Sequence, residues 1–230
     1  MQQHILKDFD HAMNTLRGEV LTMAGLARVN LERAMQALFE RNLELANAVI
    51  ADDNEVDELE RRVDQLGMDV LVRFHPVATD LRMVVTSMKI SMNLERISDH
   101  AVNISKRARK LCATTVLPDV NLLEPLYTLA DHLLRDAISA FSDRNAVLGE
   151  SLHARDKELD RLHRDATATF GSRIEESGRS QEYLHLILIV RSLERVGDMA
   201  TNIGENAVFL DVARDIRHDP ARKIKPPTEA

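Results

Sequence analysis

Aromatic residues are scarce in this chain: two tyrosines, six phenylalanines and no tryptophan, 3% of 230 residues. Glycine and proline are also few, at eight and six. These shortages exclude the aromatic-rich, turn-rich patterns from which sandwiches and barrels are built. A single cysteine, Cys112, excludes an internal disulfide and fits a reducing compartment. The longest apolar stretch, Leu184 to Val190, is interrupted by His185 and falls far short of a membrane span. The opening MQQHILKDFD has no apolar core of the kind a secretion signal needs. A soluble, cytoplasmic protein is therefore expected. Basic charge is in deficit too. Thirty Lys and Arg against 37 Asp and Glu leave a net charge of −7, the wrong sign for a nucleic-acid binder. No glycine-rich phosphate loop, serine elbow or His-Glu-x-x-His pattern occurs.

What the chain does have is a repeat. Asn93 to Ile104 reads NLERISDHAVNI, and Ser192 to Ile203 reads SLERVGDMATNI, 99 positions later. Upstream, Asp53-Asn-Glu-Val-Asp57 matches Asp156-Lys-Glu-Leu-Asp160 at a shift of 103. The same shift brings Leu26-Ala27, Ala34, Ala37, Arg41-Asn42 and Leu45 onto Leu129-Ala130, Ala137, Ala140, Arg144-Asn145 and Leu148. Two copies of one unit are present.

Apolar residues recur at helical spacing throughout, and Ala, Leu, Arg and Glu are abundant. The pattern predicts six helices, at about 8–48, 53–74, 77–111, 122–148, 152–176 and 180–210. No strand-length alternation is visible. His75-Pro76 should end the second helix, because a residue before proline avoids the helical region. Short turns force antiparallel neighbours, so the fold expected is all-α: two tandem antiparallel three-helix bundles. The bundles should occupy residues 1–112 and 122–210, joined by a linker at 113–121. Residues 211–230, with Pro220, Pro226 and Pro227, read as a disordered tail.

The acids carry the functional signal. In the third helix Ile90, Leu94, Ile97, Ala101 and Ile104 form one apolar stripe, while Glu95, Asp99 and Asn103 lie on roughly the other side. The sixth helix repeats this with Glu194, Asp198 and Asn202. The second helix supplies partners: Asp57 and Asp53 stand about as far before the turn as Glu95 and Asp99 stand after it. The fifth helix does the same with Asp160 and Asp156 about Gly178. Antiparallel helices of equal rise bring such positions side by side. Each bundle should therefore gather four carboxylates, with Asn103 or Asn202 as an outer ligand. Solvated acids on a helix face are the plain alternative. Four converging carboxylates repel one another unless a cation neutralises them, and the arrangement occurs twice. Oxygen donors favour magnesium, manganese, calcium or iron, with zinc also admissible.

Other signals are weaker. Glu150 with His153, and Glu182 with His185, have di-iron spacing but no counterpart in the first copy. No histidine is shared between copies, which argues against a metal-dependent oxidase or hydrolase on this bundle. The Arg41-Asn42 and Arg144-Asn145 pairs read as helix surface.

The Leu-Glu-Arg-[Ile/Val]-x-Asp segments, with Asp-x-x-x-Asp upstream, resemble the PhoU family of phosphate-specific transport accessory proteins. His75-Pro-Val-Ala-Thr-Asp-Leu-Arg82 is similar to that family's turn after the second helix, and Met88-Lys-Ile to the segment that follows. The family's usual Asp and Gly are replaced by Asn93 and Ser98 in the first copy, whereas Gly197 is kept in the second. His75 stands where arginine is more usual. The resemblance covers about residues 8–210. It implies a regulator and not an enzyme, with metal ions bound through Asp53, Asp57, Glu95, Asp99, Asp156, Asp160, Glu194 and Asp198. It also implies a homodimer whose partners are the ATPase of a phosphate ABC transporter and a sensor histidine kinase, acting to repress the phosphate-starvation response when phosphate is plentiful. A metal-dependent helical-bundle enzyme, oxidase or hydrolase, and a metal-free helical adaptor are the alternatives.

Overall fold

A computed structural model describes residues 2–217, with side chains from residue 7 onward. Six α-helices account for almost all of it, and the described residues contain no strand. In chain order they are α1 (Gln2–Phe39), α2 (Leu43–Phe74), α3 (Ala78–Cys112), α4 (Glu124–Ser142), α5 (Ala146–Ser177) and α6 (Ser180–Val212). A 3-10 turn, Pro118–Leu123, leads into α4. Helices α1 to α3 pack as one antiparallel bundle and α4 to α6 as another. The two are joined along α3 and α6, so the apolar interiors merge into one core.

Each bundle is closed by the stripes its sequence carries. Leu94, Ile97, Ala101 and Ile104 of α3 are fully buried, as are Leu193, Val196, Ala200 and Ile203 of α6. The copies differ in their first helix. α1 has 38 residues and α4 has 19, so the first half of α1 has no counterpart. That extra length packs Phe9 edge-on against Phe74, ring centres 5.4 Å apart, at the far end of α2.

The turn between the first two helices of each copy falls nearer the N-terminus than the periodicity predicts. It lies at residues 40–42 and 143–145, not at 49–52 and 149–151. Asn42 and Asn145 cap the following helices, their side-chain oxygens accepting from the amides of Leu45 and Leu148 at 3.0 Å. Arg41 and Arg144 adopt positive φ of 54° and 50°. The Arg41 guanidinium then reaches the carbonyls of Cys112, at 2.9 Å, and Thr114. Those carbonyls lie at the end of α3, where a helix leaves acceptors without partners. The Arg-Asn pairs are therefore the turn itself and not helix surface.

Residues 211–217 also depart from expectation. α6 continues to Val212, and Ile216 is buried against the fold at 2% exposure. The rest of the segment read as a disordered tail lies outside the described residues.

Candidate metal-binding faces

Helices α2 and α3 run antiparallel from the turn at His75, whose left-handed backbone (φ 48°) reverses the chain. That geometry sets Asp53 and Asp57 on the side of α2 that faces Glu95 and Asp99 on α3. The four carboxylates sense one another. Burial raises the Asp53 carboxyl above its ordinary range, and the negative charges of Asp57 and Asp99 push it further. Burial, then Asp99, Glu60, Asp57 and Asp53, lifts Glu95 to about 7. In the second bundle burial is again the main cause, followed by Asp198, Asp160 and Glu194, and Asp156 rises to about 7. Glu194 and Asp198 are raised as well, against the opposing pull of Arg195 and His163. Within each bundle these acids thus raise one another's carboxyls.

They are not, however, closed around a point. Among the described residues no three of His, Cys, Asp and Glu stand close enough to hold a metal ion. Donor chemistry and shared face suit a hard cation, but the side chains must turn inward to enclose one. Asn103 and Asn202 lie elsewhere. Each lines a pocket on the seam between α3 and α6, and Asn202 donates to the side-chain oxygen of Asn93 at 3.4 Å.

Two members of these sets escaped the sequence reading. Glu60 acts on Glu95, and its own carboxyl is raised by burial and by Asp64, Asp57 and Asp99. His163, at the same position of the second copy, acts on Glu194 and Asp198. Both stand three residues after the second aspartate, the i+7 step of the acidic stripe. The spacing Asp-x-x-x-Asp-x-x-[Glu/His] was available to find them.

Small residues tune each set. Ser98 donates from its hydroxyl to Asp53 at 3.2 Å and accepts from Asn30 at 3.2 Å. Gly197 takes the same place in α6. A Cβ there would sit 2.3 Å from a methyl of Leu159 and 3.2 Å from an Asp156 oxygen, so those two side chains fill the space that a side chain at 197 would take. Farther along the same crossing, a Cβ on Gly149 would meet the Gly204 carbonyl oxygen at 2.6 Å.

The Glu-x-x-His pairs are engaged otherwise. Glu150 pairs with Arg214, and Glu182 with Arg179 at 3.2 Å. No helix among the described residues is long and apolar enough to cross a membrane.

Comparison with known proteins bears on all of this. The chain matches the PhoU domain twice, over residues 20–108 and 123–207. It is 33% identical to a "Phosphate-specific transport system accessory protein PhoU homolog" of Zymomonas mobilis, over 90% of this chain and 87% of that one. It is 30% identical to the homolog of the same description in Pseudomonas aeruginosa, across 100% of this chain and 96% of that one. Among solved structures, PhoU from Pseudomonas aeruginosa superimposes with a TM-score of 0.87 at 30% identity, covering 90% of this chain and 100% of the other. The phosphate transport system regulatory protein PhoU from Streptococcus pneumoniae gives 0.84 at 22% identity, covering 90% and 99%, and speaks for the fold alone.

Proposed function

This chain belongs to the PhoU family, and from that premise we propose that it regulates phosphate uptake and the phosphate-starvation response by contact with partners. Its relatives are accessory proteins of phosphate transport and not enzymes. In the proposed role the protein links the ATPase of the phosphate ABC transporter to a sensor histidine kinase. It represses the starvation response while phosphate is plentiful, and does so from the cytoplasm as a homodimer.

The acidic faces are the regulatory surfaces in this reading. The observation that carries it is the coupling of the carboxylates: two lifted to about 7, one in each bundle, by burial among like charges. A set of acids held together at neutral pH calls for a counter-ion. Asp53, Asp57, Glu60, Glu95 and Asp99 would hold metal ions in the first bundle. Asp156, Asp160, His163, Glu194 and Asp198 would hold them in the second. A bound ion would supply positive charge and open coordination positions for a partner's carboxylate. The residues themselves do the rest, with α2–α3 and α5–α6 presenting the acids along rigid, fully helical edges.

Metal analysis of the purified protein, with Glu95→Ala/Asp99→Ala and Glu194→Ala/Asp198→Ala variants, tests the proposal. Each pair should remove the ions of its own face and leave the fold intact. In cells both should release phosphate-starvation genes from repression at high phosphate. Variants that lose metal yet repress normally would leave a metal-free helical adaptor. Turnover of a substrate with added iron, manganese or zinc would favour an enzyme instead.

A further inference from the structure

Helices α3 and α6 hold equivalent places in the two copies and pack against each other along the centre of the molecule. A shift of 99 positions maps one onto the other. Two pockets open along their seam. One, of about 410 Å³, is lined on α3 by Lys89, Met92, Asn93 and Arg96, on α6 by Asn202 and Asn206, and beyond α6 by Arg217, which pairs with Asp215. The other, of about 380 Å³, is lined on α6 by Leu188, Arg191, Ser192 and Arg195 and on α3 by Arg96, His100, Asn103 and Arg107. Six of the eight residues of the second set are 99-position equivalents of residues in the first. The pockets are images of each other about a pseudo-two-fold axis.

Their chemistry is not the same. Where the first pocket has Met92 and Asn206, the second has Arg191 and Arg107. Arg96 and Arg195, equivalents of one another, both reach the second pocket. Four guanidinium groups therefore share one cavity in a protein of net charge −7. Only one is compensated: Arg195 stands 3.0 Å from Asp198 and 3.4 Å from Glu194. Among the described residues Arg96, Arg107 and Arg191 have no ion-pair partner. His100 lies in the same pocket with its Nδ1 buried and unpaired. The first pocket shows that this crossing packs equally well with methionine and asparagine, so the fold does not demand the two extra arginines. Clustered like charges oppose one another and persist where something compensates them.

We propose that the arginine-rich pocket of the α3–α6 seam, formed by Arg96, Arg107, Arg191 and Arg195, binds a phosphoryl oxyanion. Guanidinium forks match the paired oxygens of a phosphate, and a dianion answers several cations where a single carboxylate answers one. The volume accommodates inorganic phosphate with its water, or a small phosphomonoester. No Phe, Tyr or Trp lines the cavity to serve as a platform for nucleotide bases. The site adjoins the second acidic face through Arg195, while Arg96, His100 and Arg107 lie on the side of α3 turned to α6. It would give a phosphate-linked regulator a direct reading of its signal, but stands or falls without the metal proposal.

Calorimetric titration of the full chain with inorganic phosphate, in low-salt buffer, provides the test. One saturable site per chain is expected. The variant Arg107→Asn/Arg191→Met installs the residues of the image pocket, so it should fold with unchanged helicity and melting temperature. It should weaken phosphate binding at least about tenfold. Arg107→Lys/Arg191→Lys, which keeps charge and loses the forks, should fall between. Glycerol phosphate distinguishes the source of the group: tighter binding than phosphate assigns the pocket to a phosphomonoester, weaker binding to the free ion. No saturation by either up to about 10 mM, or equal binding by the Asn/Met variant, overturns the proposal. So does tighter binding of a glutamate-rich peptide, which would make the seam a docking groove for acidic chain.

Discussion

The two acidic faces have the same ancestry in sequence and opposite internal accounts of where the proton sits. In the first bundle it belongs to α3: Glu95 is lifted to about 7, with Glu60 among the negative neighbours. Asp53 is also raised by burial, but Ser98, which hydrogen-bonds its carboxylate, and Lys106 offset part of the rise. In the second bundle it belongs to α5: Asp156 is lifted to about 7. There Glu194 is eased by Arg195 and His163. Three paired positions make the exchange. Ser98 corresponds to Gly197, Lys106 to Glu205, and Glu60 to His163. The first two remove support from Asp156, and Glu205 adds to its load. The third replaces a repelling carboxylate by a nitrogen donor. A repeat therefore conserves the placement of carboxylates while neighbours decide which of them carries the strain.

The widest break in the comparison comes from emptying one face. Glu194→Ala/Asp198→Ala should lose all metal from the second bundle, read by metal analysis, and leave the first loaded. Loss from both would show that the faces act as one. Single changes sharpen the contrast in donor type. His163→Ala should lower affinity for zinc more than for magnesium, whereas Glu60→Ala should weaken both, because imidazole nitrogen suits zinc and carboxylate suits hard cations.

A second difference is the spacing of the helices. Gly149 and Gly204 let α5 and α6 touch backbone to backbone, whereas Ala46 and Ser105 stand at those places in the first bundle. Gly149→Ala must push the crossing apart, so a loss of about 2–3 kcal/mol is expected in urea unfolding. Ala46→Gly should lose only about 1 kcal/mol, the ordinary effect of glycine within a helix. Equal losses would mean that close approach is no property of the second bundle.

This contrast also explains what the sequence made legible. The repeat and the amphipathic stripes were enough for six helices in two bundles, since both follow from 3.6-residue periodicity and short turns. The turns at Arg41-Asn42 and Arg144-Asn145 were hidden. Apolar spacing runs across them without a glycine or proline, and an arginine takes the left-handed position. Only the asparagine caps marked them. Glu60 and His163 were missed because they differ in type between copies, although their spacing is the same. The paired pockets of the seam were out of reach, because they depend on α3 meeting α6 and not on either helix alone.

Ser98→Ala tests the support given to Asp53. Two hydrogen bonds vanish, one from Asn30 and one to the carboxylate, and Ser98 is fully buried. A loss of about 1–2 kcal/mol follows from leaving the Asn30 amide without its partner. The Asp53 carboxyl should then titrate higher, toward its counterpart Asp156, as followed by carboxyl NMR. An unmoved Asp53 would assign the difference between copies to burial alone.

The smallest effect is the pH dependence of the metal-free protein. Glu95 and Asp156 hold their protons to about 7 in the folded state, well above the ordinary carboxylate values that apply once the chain unfolds. Between those limits the native state binds more protons, so stability falls as pH rises. Their contribution is complete below about pH 4 and gone above about pH 8. Water screens both half-buried groups, which leaves a change on the order of 1 kcal/mol. His100 and His185 act in the other direction. Burial holds both neutral, so their charging in the unfolded chain weakens the fold as pH drops below about 6. Chelated protein should therefore be most stable near pH 6 and lose stability toward pH 8. Added manganese should cancel that loss, because an ion replaces the proton in neutralising the acids. Chelated protein equally stable at pH 6 and pH 8 would show that the carboxylates relax apart and that neither face is held in tension.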